Sequence, residues 1–421
     1  MGGSGMNNMV IVAGSCYPKS SATGAIALKC ADMFSQKYNV SVVCTQQGKY
    51  AMSGSSVNNI KFYTLTQWRH RMAYFAKEQA EIGSSFRKGF FRLLLFLLRG
   101  LGRIQSCFFT LDNMWWYKKA VYKQLLKINE KEKIDIVISL SAPHETHLAA
   151  MMFKKAFPSV KWVSYWLDML ASPVNKRNLF ISIDKLSDIQ NSIMENADLV
   201  YTSEEIYDNL NLRSEYVRTK IIAVPYMLKS DILDRNNYIS FSTEDSIKLV
   251  YLGSFYEKFR NPEYMLRLIS SLDSTNVSLH IYSQGECEEL VATYANKYSN
   301  KIVKYSTVNN KDADYIMKNA HVLINIENDL DNSRPSKLYE LISYRKPIIN
   351  FYYQGHPTRA FCNYSLALDI EIGTPIEIAK KMICDFLTNC KTKNVPSKEE
   401  ILLKYSKHTE DNIKKLFLNN I

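Results

Sequence analysis

Apolar and polar positions in this chain fall into blocks. In the first half, MVIVAG, VSVVCT, IDIVISLS and VKWVSYWLDML are short, nearly continuous apolar runs bounded by glycine, serine or proline. Such runs fit strands buried on both faces of a parallel sheet. After the first run, Ala25, Ala27, Leu28, Ala31 and Met33 follow Gly24 at helical spacing, so strand, helix and VSVVCT form a βαβ unit. NADLVYTSEEIYDNL reads as a strand entering a helix, with Ser203 as its N-cap and Glu204 and Glu205 on the favourable end of the helix dipole. Periodicity is lost from Pro225 to Ser246, where polar turn residues predict a linker. It resumes with IKLVYLG, a glycine turn and a helix introduced by Asn261 and Pro262. VSLHIYSQG, ending at Gly285, then IVKYSTVNN, a helix from Asp312 and AHVLINIEND continue in βαβ order. Asn332 to Asn350 joins a polar loop, a short helix and the strand run IINFY. Leu338, Leu341 and Ile342 give the helix period, with a start near Pro335 and a stop at Pro347. The closing KEEILLKYSKHTEDNIKKLFLNNI is helical.

One block breaks this rhythm. Phe86 to Phe109, FRKGFFRLLLFLLRGLGRIQSCFF, is densely apolar but punctuated by Arg87, Lys88, Arg92, Arg99 and Arg103. A spanning helix needs about 20 uninterrupted apolar residues, which this stretch lacks. Its composition suits a helix lying in a bilayer interface, with cations on lipid phosphates. The alternative is a helix buried in the first domain whose arginines snorkel outward. Trp115 and Trp116, just beyond, fit either reading.

Composition narrows the class. A chain of 421 residues exceeds one ordinary core, and 46% hydrophobic with 22% charged residues describes a globular protein. The net charge of +12 points to an acidic partner, whether nucleic acid, anionic lipid or a phosphorylated substrate. The eight cysteines form no CxxC pair, which suits reduced thiols in a cytoplasm better than a disulfide framework or a zinc site. No secretory signal pattern opens the chain, and MGGSG before Met6 is set aside as a tag-like scar.

The chemistry concentrates at the predicted helix start near Pro335. Free backbone N–H groups there, with Arg334, Ser336 and Lys337 close by, make a site for phosphate oxygens. Glu340, one turn further in, offers acceptors for a ribose diol. The plain alternative is that Ser333 or Ser336 only caps the helix and Glu340 is a solvated charge. Gly14 and Gly24 are too far apart for the dinucleotide fingerprint, and no acidic residue ends the second strand, which argues against a nicotinamide enzyme. His144, His147 and Asp168 fall at carboxyl ends of strands, where such sheets gather their sites. Two D-x-D spacings, Asp312 with Asp314 and Asp329 with Asp331, hint at a metal, but the first is better read as favourable charge at a helix start.

P-S-K-L-Y-E, followed by Lys346, Pro347 and an apolar run, resembles the donor-site segment of family 4 glycosyltransferases, which have the GT-B fold. The resemblance implies two Rossmann-like α/β domains with parallel sheets facing a central cleft. They are an acceptor-binding domain over residues 6–228, onto which a C-terminal helix at 405–421 packs back, and a nucleotide-sugar-binding domain over 229–404. In that family the segment carries two glutamates with seven residues between them, for the donor sugar and the ribose. Glu340 matches the second, and Asn332 stands at the first as a hydrogen-bonding substitute. The strand followed by G-S-x-Y-P and Gly24-Ala25 is similar to the family's first loop. The S-x-P-x-x-x-H pattern places His147 at the family's acceptor-side position, with His144 in reserve and Asp168 as the acidic residue. Arg260 fits one of two family cations on the donor diphosphate. The other falls near Ser254, a loss that Lys337 would make good.

The resemblance thus implies a retaining, metal-independent transferase whose catalytic residues are His147, Asp168 and Asn332. Its donor site comprises Gly14, Gly24, Gly253, Arg260, Ser333, Arg334, Pro335, Ser336, Lys337, Leu338 and Glu340. The co-substrate is a nucleotide-diphosphate-sugar, with no bound cofactor or metal. The partners are that donor and a glycan or glycolipid acceptor, with peripheral contact to anionic membrane through Phe86–Phe109 and no nucleic acid. The expected place is the cytoplasm, peripherally at the inner face of the plasma membrane. The rival readings are a GT-B sugar-nucleotide 2-epimerase and a non-catalytic polyanion- or membrane-binding protein.

Overall fold

The computed structural model describes residues 6–17, 21–46, 51–81, 85–109, 115–171, 181–208, 210, 215–233, 247–273, 276–329, 337–354, 361, 363–390 and 393–421. The chain divides into two compact units, Met1–Val224 and Pro225–Ile421.

In the first unit the strands are β1 (Asn8–Val12), β2 (Asn39–Thr45), β3 (Ser53–Val57), β4 (Ile60–Leu65), β5 (Ile136–Leu140), β6 (Lys161–Trp166), β7 (Leu199–Ser203) and β8 (Ile221–Val224). They form one sheet in the order β3-β4-β2-β1-β5-β6-β7-β8. All pairs are parallel except β3 with β4. The four apolar runs of the first half become β1, β2, β5 and β6, and the central ones are buried on both faces. Val10, Val12 and Val137 pack into a core with Tyr117, Phe153 and Trp162. The β3–β4 hairpin leaves no such trace, because SGSSV is polar and largely exposed. Its turn is set by Asn58 and Asn59, both at positive φ, a conformation asparagine tolerates. The Ser203 hydroxyl accepts from the Ile206 N–H, as its N-cap position predicts.

The second unit is a wholly parallel sheet of β9 (Ile247–Phe255), β10 (Val277–Gly285), β11 (Ile302–Tyr305), β12 (Val322–Ile326), β13 (Ile348–Tyr352) and β14 (Ala367–Glu371). The order is β11-β10-β9-β12-β13-β14. Alternate residues serve opposite faces. Leu249, Val322 and Ile349 pack with Met265, Leu266 and Ile269 of the helix Glu263–Ser270. Val250, Leu323 and Ile348 pack with Leu338, Leu341 and Ile342 on the other side.

The expected linker is partly a packed segment. Its residues 234–246 lie outside the described ones, but Leu228 and Ile232 are buried in the second unit's core. Leu228 N–H donates to the His408 carbonyl (2.8 Å), and Lys229 N–H to Ser343 Oγ (3.0 Å). Tyr405 and His408, expected with the first domain, lie against Tyr339 in this same core, His408 stacking on it at 3.7 Å.

Three glycines make the geometry testable. A Cβ on Gly24 would lie 1.8 Å from the Ser15 carbonyl oxygen, and one on Gly285 (φ +126°) would lie 2.2 Å from that of Phe255. Gly89, inside the helix Ser85–Phe109, has nothing within 4 Å of that position. Gly24→Ala and Gly285→Ala are each expected to destabilise by about 2 kcal/mol or more, the scale of forced overpacking. Gly89→Ala is expected to stabilise by up to about 1 kcal/mol through helix propensity. Thermal melts of the three variants check this; equal melting temperatures would contradict it.

Candidate active site

In an open parallel sheet, ligands bind outside the carboxyl ends of the strands where the strand order reverses. In the second unit that point lies between β9 and β12. Lys337 Nζ donates to the Leu252 carbonyl near the end of β9 (3.0 Å). Arg260, from the loop after β9, donates through Nε to Asn328 Oδ1 (2.8 Å), just past β12, and through Nη1 to the Ser254 carbonyl (3.4 Å). Two cations are therefore fastened to carbonyls two residues apart at one strand end. Burial pushes the Lys337 ammonium below its ordinary pKa and the Arg260 guanidinium pushes it further, while the Glu340 carboxylate pulls the other way. Glu340 thus lies within electrostatic reach of the lysine. Among the described residues no hydrogen bond engages its carboxylate.

The loop holding Arg260 is shaped locally. Tyr256 and Arg260 exchange backbone hydrogen bonds (3.2 and 3.0 Å), and Tyr256 stacks on Phe259 with ring centroids 4.6 Å apart. The Phe259 carbonyl accepts from the Asp329 N–H (2.8 Å), tying this loop to the one after β12. Asn261 Oδ1 accepts from the Glu263 N–H (2.9 Å), which starts the next helix as its sequence position predicts. Gly285 lets the end of β10 close on Phe255.

Beneath these loops runs a polar ladder that sequence reasoning missed. Asn325, Asn350 and Asp369 are register partners across β12, β13 and β14. Asn325 donates to Asn350 Oδ1 (2.7 Å), and Asn350 donates to Glu327 Oε1 (2.9 Å) and Asp369 Oδ1 (2.8 Å). Burial raises the Asp369 carboxyl pKa, opposed by the Asn350 hydrogen bond. The signal was present as a polar residue inside each of VLINI, IINFY and ALDIE, but their alignment needs the register.

The first unit's reversal lies between β1 and β5. Gly14 follows β1, and a Cβ there would lie 3.0 Å from Pro143 Cδ in the loop after β5. Gly24 sits in the first turn of the helix Ala22–Ser35, pressed against Ser15. His147 is completely buried, stacked on Trp166 at 4.4 Å, with Nδ1 2.7 Å from Ser139 Oγ. Trp162 Nε1 also donates to Ser139 Oγ (2.9 Å), so the serine hydroxyl joins the histidine to the indole. His144 is likewise buried, its Nε2 3.1 Å from the Asp168 backbone carbonyl. That carbonyl also accepts from Ser141 Oγ (3.3 Å), so the end of β6 is held by the loop after β5. Asp168 itself is half-buried.

The structure thus brings together Gly253, Arg260, Lys337 and Glu340 at one strand end. Leu338 is a core residue, 1% exposed, so only its backbone is available to a ligand. The helix runs Leu338–Ile342 with Lys337 at the N-cap position, a later start than the spacing predicts. Asn332, Ser333, Arg334, Pro335 and Ser336 lie outside the described residues. Lys346 is buried and donates to the Ala320 carbonyl, while Arg345 reaches the carbonyls of Pro396 (2.7 Å) and Leu233 (3.0 Å), so these two cations tie the unit together.

Of the D-x-D spacings, Asp312 accepts from Asn309 and stands in the first turn of the helix Asn310–Asn319. Asp314 is ion-paired to Lys229 and Lys318; burial works against its ionisation, but these ammonium groups and the Tyr344 hydroxyl bring its pKa down to about 2. Asp331 lies outside the described residues.

No family model and no curated protein sequence matches the chain. Solved structures do. A lipopolysaccharide outer core galactosyltransferase, WaaB, is similar with a TM-score of 0.57 at 13% identity, over 98% of this chain and 98% of its own. A trehalose-6-phosphate protein from E. coli bound with UDP-2-fluoro glucose gives 0.60 at 10% identity, over 98% of both chains. A UDP-GlcNAc 2-epimerase from Methanocaldococcus jannaschii gives 0.51 at 10%, over 98% and 99%. Likeness at this level of identity concerns the fold, and together with the two α/β units of parallel sheet it gives the fold as GT-B.

Proposed function

We propose that this chain is a glycosyltransferase that moves a sugar from a nucleotide-diphosphate-sugar to a glycan or glycolipid acceptor. The observation that carries the reading is the pairing of Arg260 and Lys337 at the carboxyl end of β9, with Glu340 one helical turn from the lysine. In this reading the guanidinium grips phosphate oxygens in bidentate fashion and the ammonium neutralises the same group. As the glycosidic bond breaks, the leaving diphosphate gains negative charge, and fixed cations lower the barrier by stabilising it. Side-chain cations in this role make the mechanism metal-independent, and the family resemblance supplies the expectation of retention. Glu340 accepts from the ribose diol, and Gly253 lies between the two residues whose carbonyls hold Lys337 and Arg260. The segment from Asn332 to Ser336 completes the donor side, with Asn332 on the sugar and Arg334 and the Ser336 amide on phosphate.

On the acceptor side Asp168 is the carboxylate we assign to the incoming hydroxyl. His147 acts as a positioning residue through Trp166 and Ser139, since its ring is enclosed. Gly14 and Gly24 shape the loop after β1. The 2-epimerase reading shares the donor site and needs no acceptor; the transferase likenesses have the higher TM-scores.

Uridine diphosphate is expected to raise the melting temperature, and Arg260→Ala and Glu340→Ala each to weaken its binding about tenfold or more, the scale of losing a charge-assisted contact. Absence of any nucleotide-diphosphate effect, across uridine, guanosine and adenosine forms, would contradict the proposal. A sugar-nucleotide panel incubated with and without acceptor separates the two enzymes: turnover to a 2-epimer without acceptor would favour the rival.

The depressed Lys337 pKa fixes a pH signature. An ammonium that deprotonates early loses its hold on phosphate as pH rises through that lowered value, so affinity falls at a pH where an ordinary lysine is still charged. Lys337→Arg is expected to carry binding to higher pH. Calorimetric titration with uridine diphosphate from neutral to alkaline pH checks this, and identical profiles would count against Lys337 as a phosphate ligand.

A further inference from the structure

The helix Ser85–Phe109 packs against the helix Trp68–Glu81 as an antiparallel pair. Phe75 meets Phe91 edge-on at 5.7 Å, and Arg87 Nη2 donates to Gln79 Oε1 (2.9 Å), which fixes the register. Leu98 turns inward and is buried. The other side of the longer helix carries Phe86, Phe90, Leu93, Leu97, Leu101 and Ile104, all exposed, Phe86 by 89%. At about 100° per residue these six fall within an arc of roughly 80°, a straight row about 27 Å long. Phe96 flanks the row at 70% exposed, and Trp68, at 66%, adds an indole ring on the partner helix. A Cβ on either Gly89 or Gly100 would meet nothing within 4 Å, so no part of the described chain covers their side. No helix among the described residues is long and apolar enough to cross a membrane.

Charge selects the occupant. From Ile82 to Leu111 the sequence has five cations, Arg87, Lys88, Arg92, Arg99 and Arg103, and no acidic residue. At the same period Lys88 and Arg92 fall on the side of the helix away from the apolar row, and Arg87 beside its edge. A second copy of this chain would set like charges against one another. A helix with a straight apolar row on one side and cations on its polar side matches a flat partner that is apolar within and anionic at its surface. We propose that this helical pair docks on an anionic lipid bilayer, lying in the plane of the interface with its apolar row among the acyl chains and its cations on lipid phosphates. The inference goes beyond the donor-site reading and is independent of it.

The full chain is tested by co-sedimentation with vesicles of pure phosphatidylcholine and of an equimolar phosphatidylcholine–phosphatidylglycerol mixture. Binding to the anionic vesicles is expected to exceed that to the neutral ones by about tenfold or more, as for several cations each contributing near a charged surface, and to fall in high salt. The double variant Phe90→Ser, Leu97→Ser and the charge reversal Lys88→Glu, Arg92→Glu should each lose that binding. Both leave the Phe75–Phe91 and Arg87–Gln79 contacts of the helical pair in place, so each variant should keep the parent melting temperature and any uridine diphosphate shift, which separates failure here from failure of the donor site. The proposal is overturned if the chain ignores both vesicles, binds them equally, or binds unchanged in either variant. It is also overturned if sedimentation equilibrium shows a dimer that Phe90→Ser, Leu97→Ser converts to monomer.

Discussion

A buried ammonium is the constraint around which the end of β9 is organised: burial disfavours the charge on Lys337, and the Arg260 guanidinium within electrostatic reach disfavours it further. Arg260 and Lys337 come from loops and turns far apart in sequence, and each is pinned by backbone carbonyls at the end of β9. Hydrogen bonds offset part of the desolvation cost, but they do not cancel two positive charges. A site that holds this arrangement ready for an anion loses less on binding than one that must gather its cations first. The Glu340 carboxylate acts the other way and favours the charge on the lysine.

The rest of the unit serves this geometry. The strand reversal between β9 and β12 opens a gap at their carboxyl ends, and the loops after both strands meet there through Asn328 with Arg260 and Asp329 with Phe259. The Asn325–Asn350–Asp369 ladder fixes β12, β13 and β14 in register beneath, so the position of Asn328 is set from inside the sheet. Buried amides fully engaged in such a network specify one register more strictly than apolar side chains of similar size. The charges nearby that take no part, Arg345, Lys346 and Asp314, are all consumed by carbonyls or ion pairs.

Much of this was legible because buried parallel strands write continuous apolar runs. MVIVAG and IDIVISLS needed no tertiary knowledge, and Asn261-Pro262 announced a helix start. The β3–β4 hairpin was invisible because its outer strand is polar and its pairing, not its composition, makes it a strand. Residues 225–233 looked like linker because Leu228 and Ile232 are too few to show a period, although both are buried. At the site, Lys337 was legible as a stand-in for a missing cation, since spacing put it near a helix start. The later helix start and the core position of Leu338 were not, because they depend on what packs beneath the turn. His147 was legible as a residue at a strand's carboxyl end, but its enclosure by Trp166 and Ser139 follows from a neighbouring strand.

The most direct measurement is a crystal structure of the chain with uridine diphosphate bound. The account predicts phosphate oxygens within hydrogen-bonding distance of both the Arg260 guanidinium and the Lys337 ammonium, with the ribose hydroxyls on Glu340. A nucleotide ordered elsewhere, with Arg260 still on Asn328 and Lys337 still on Leu252, would contradict it.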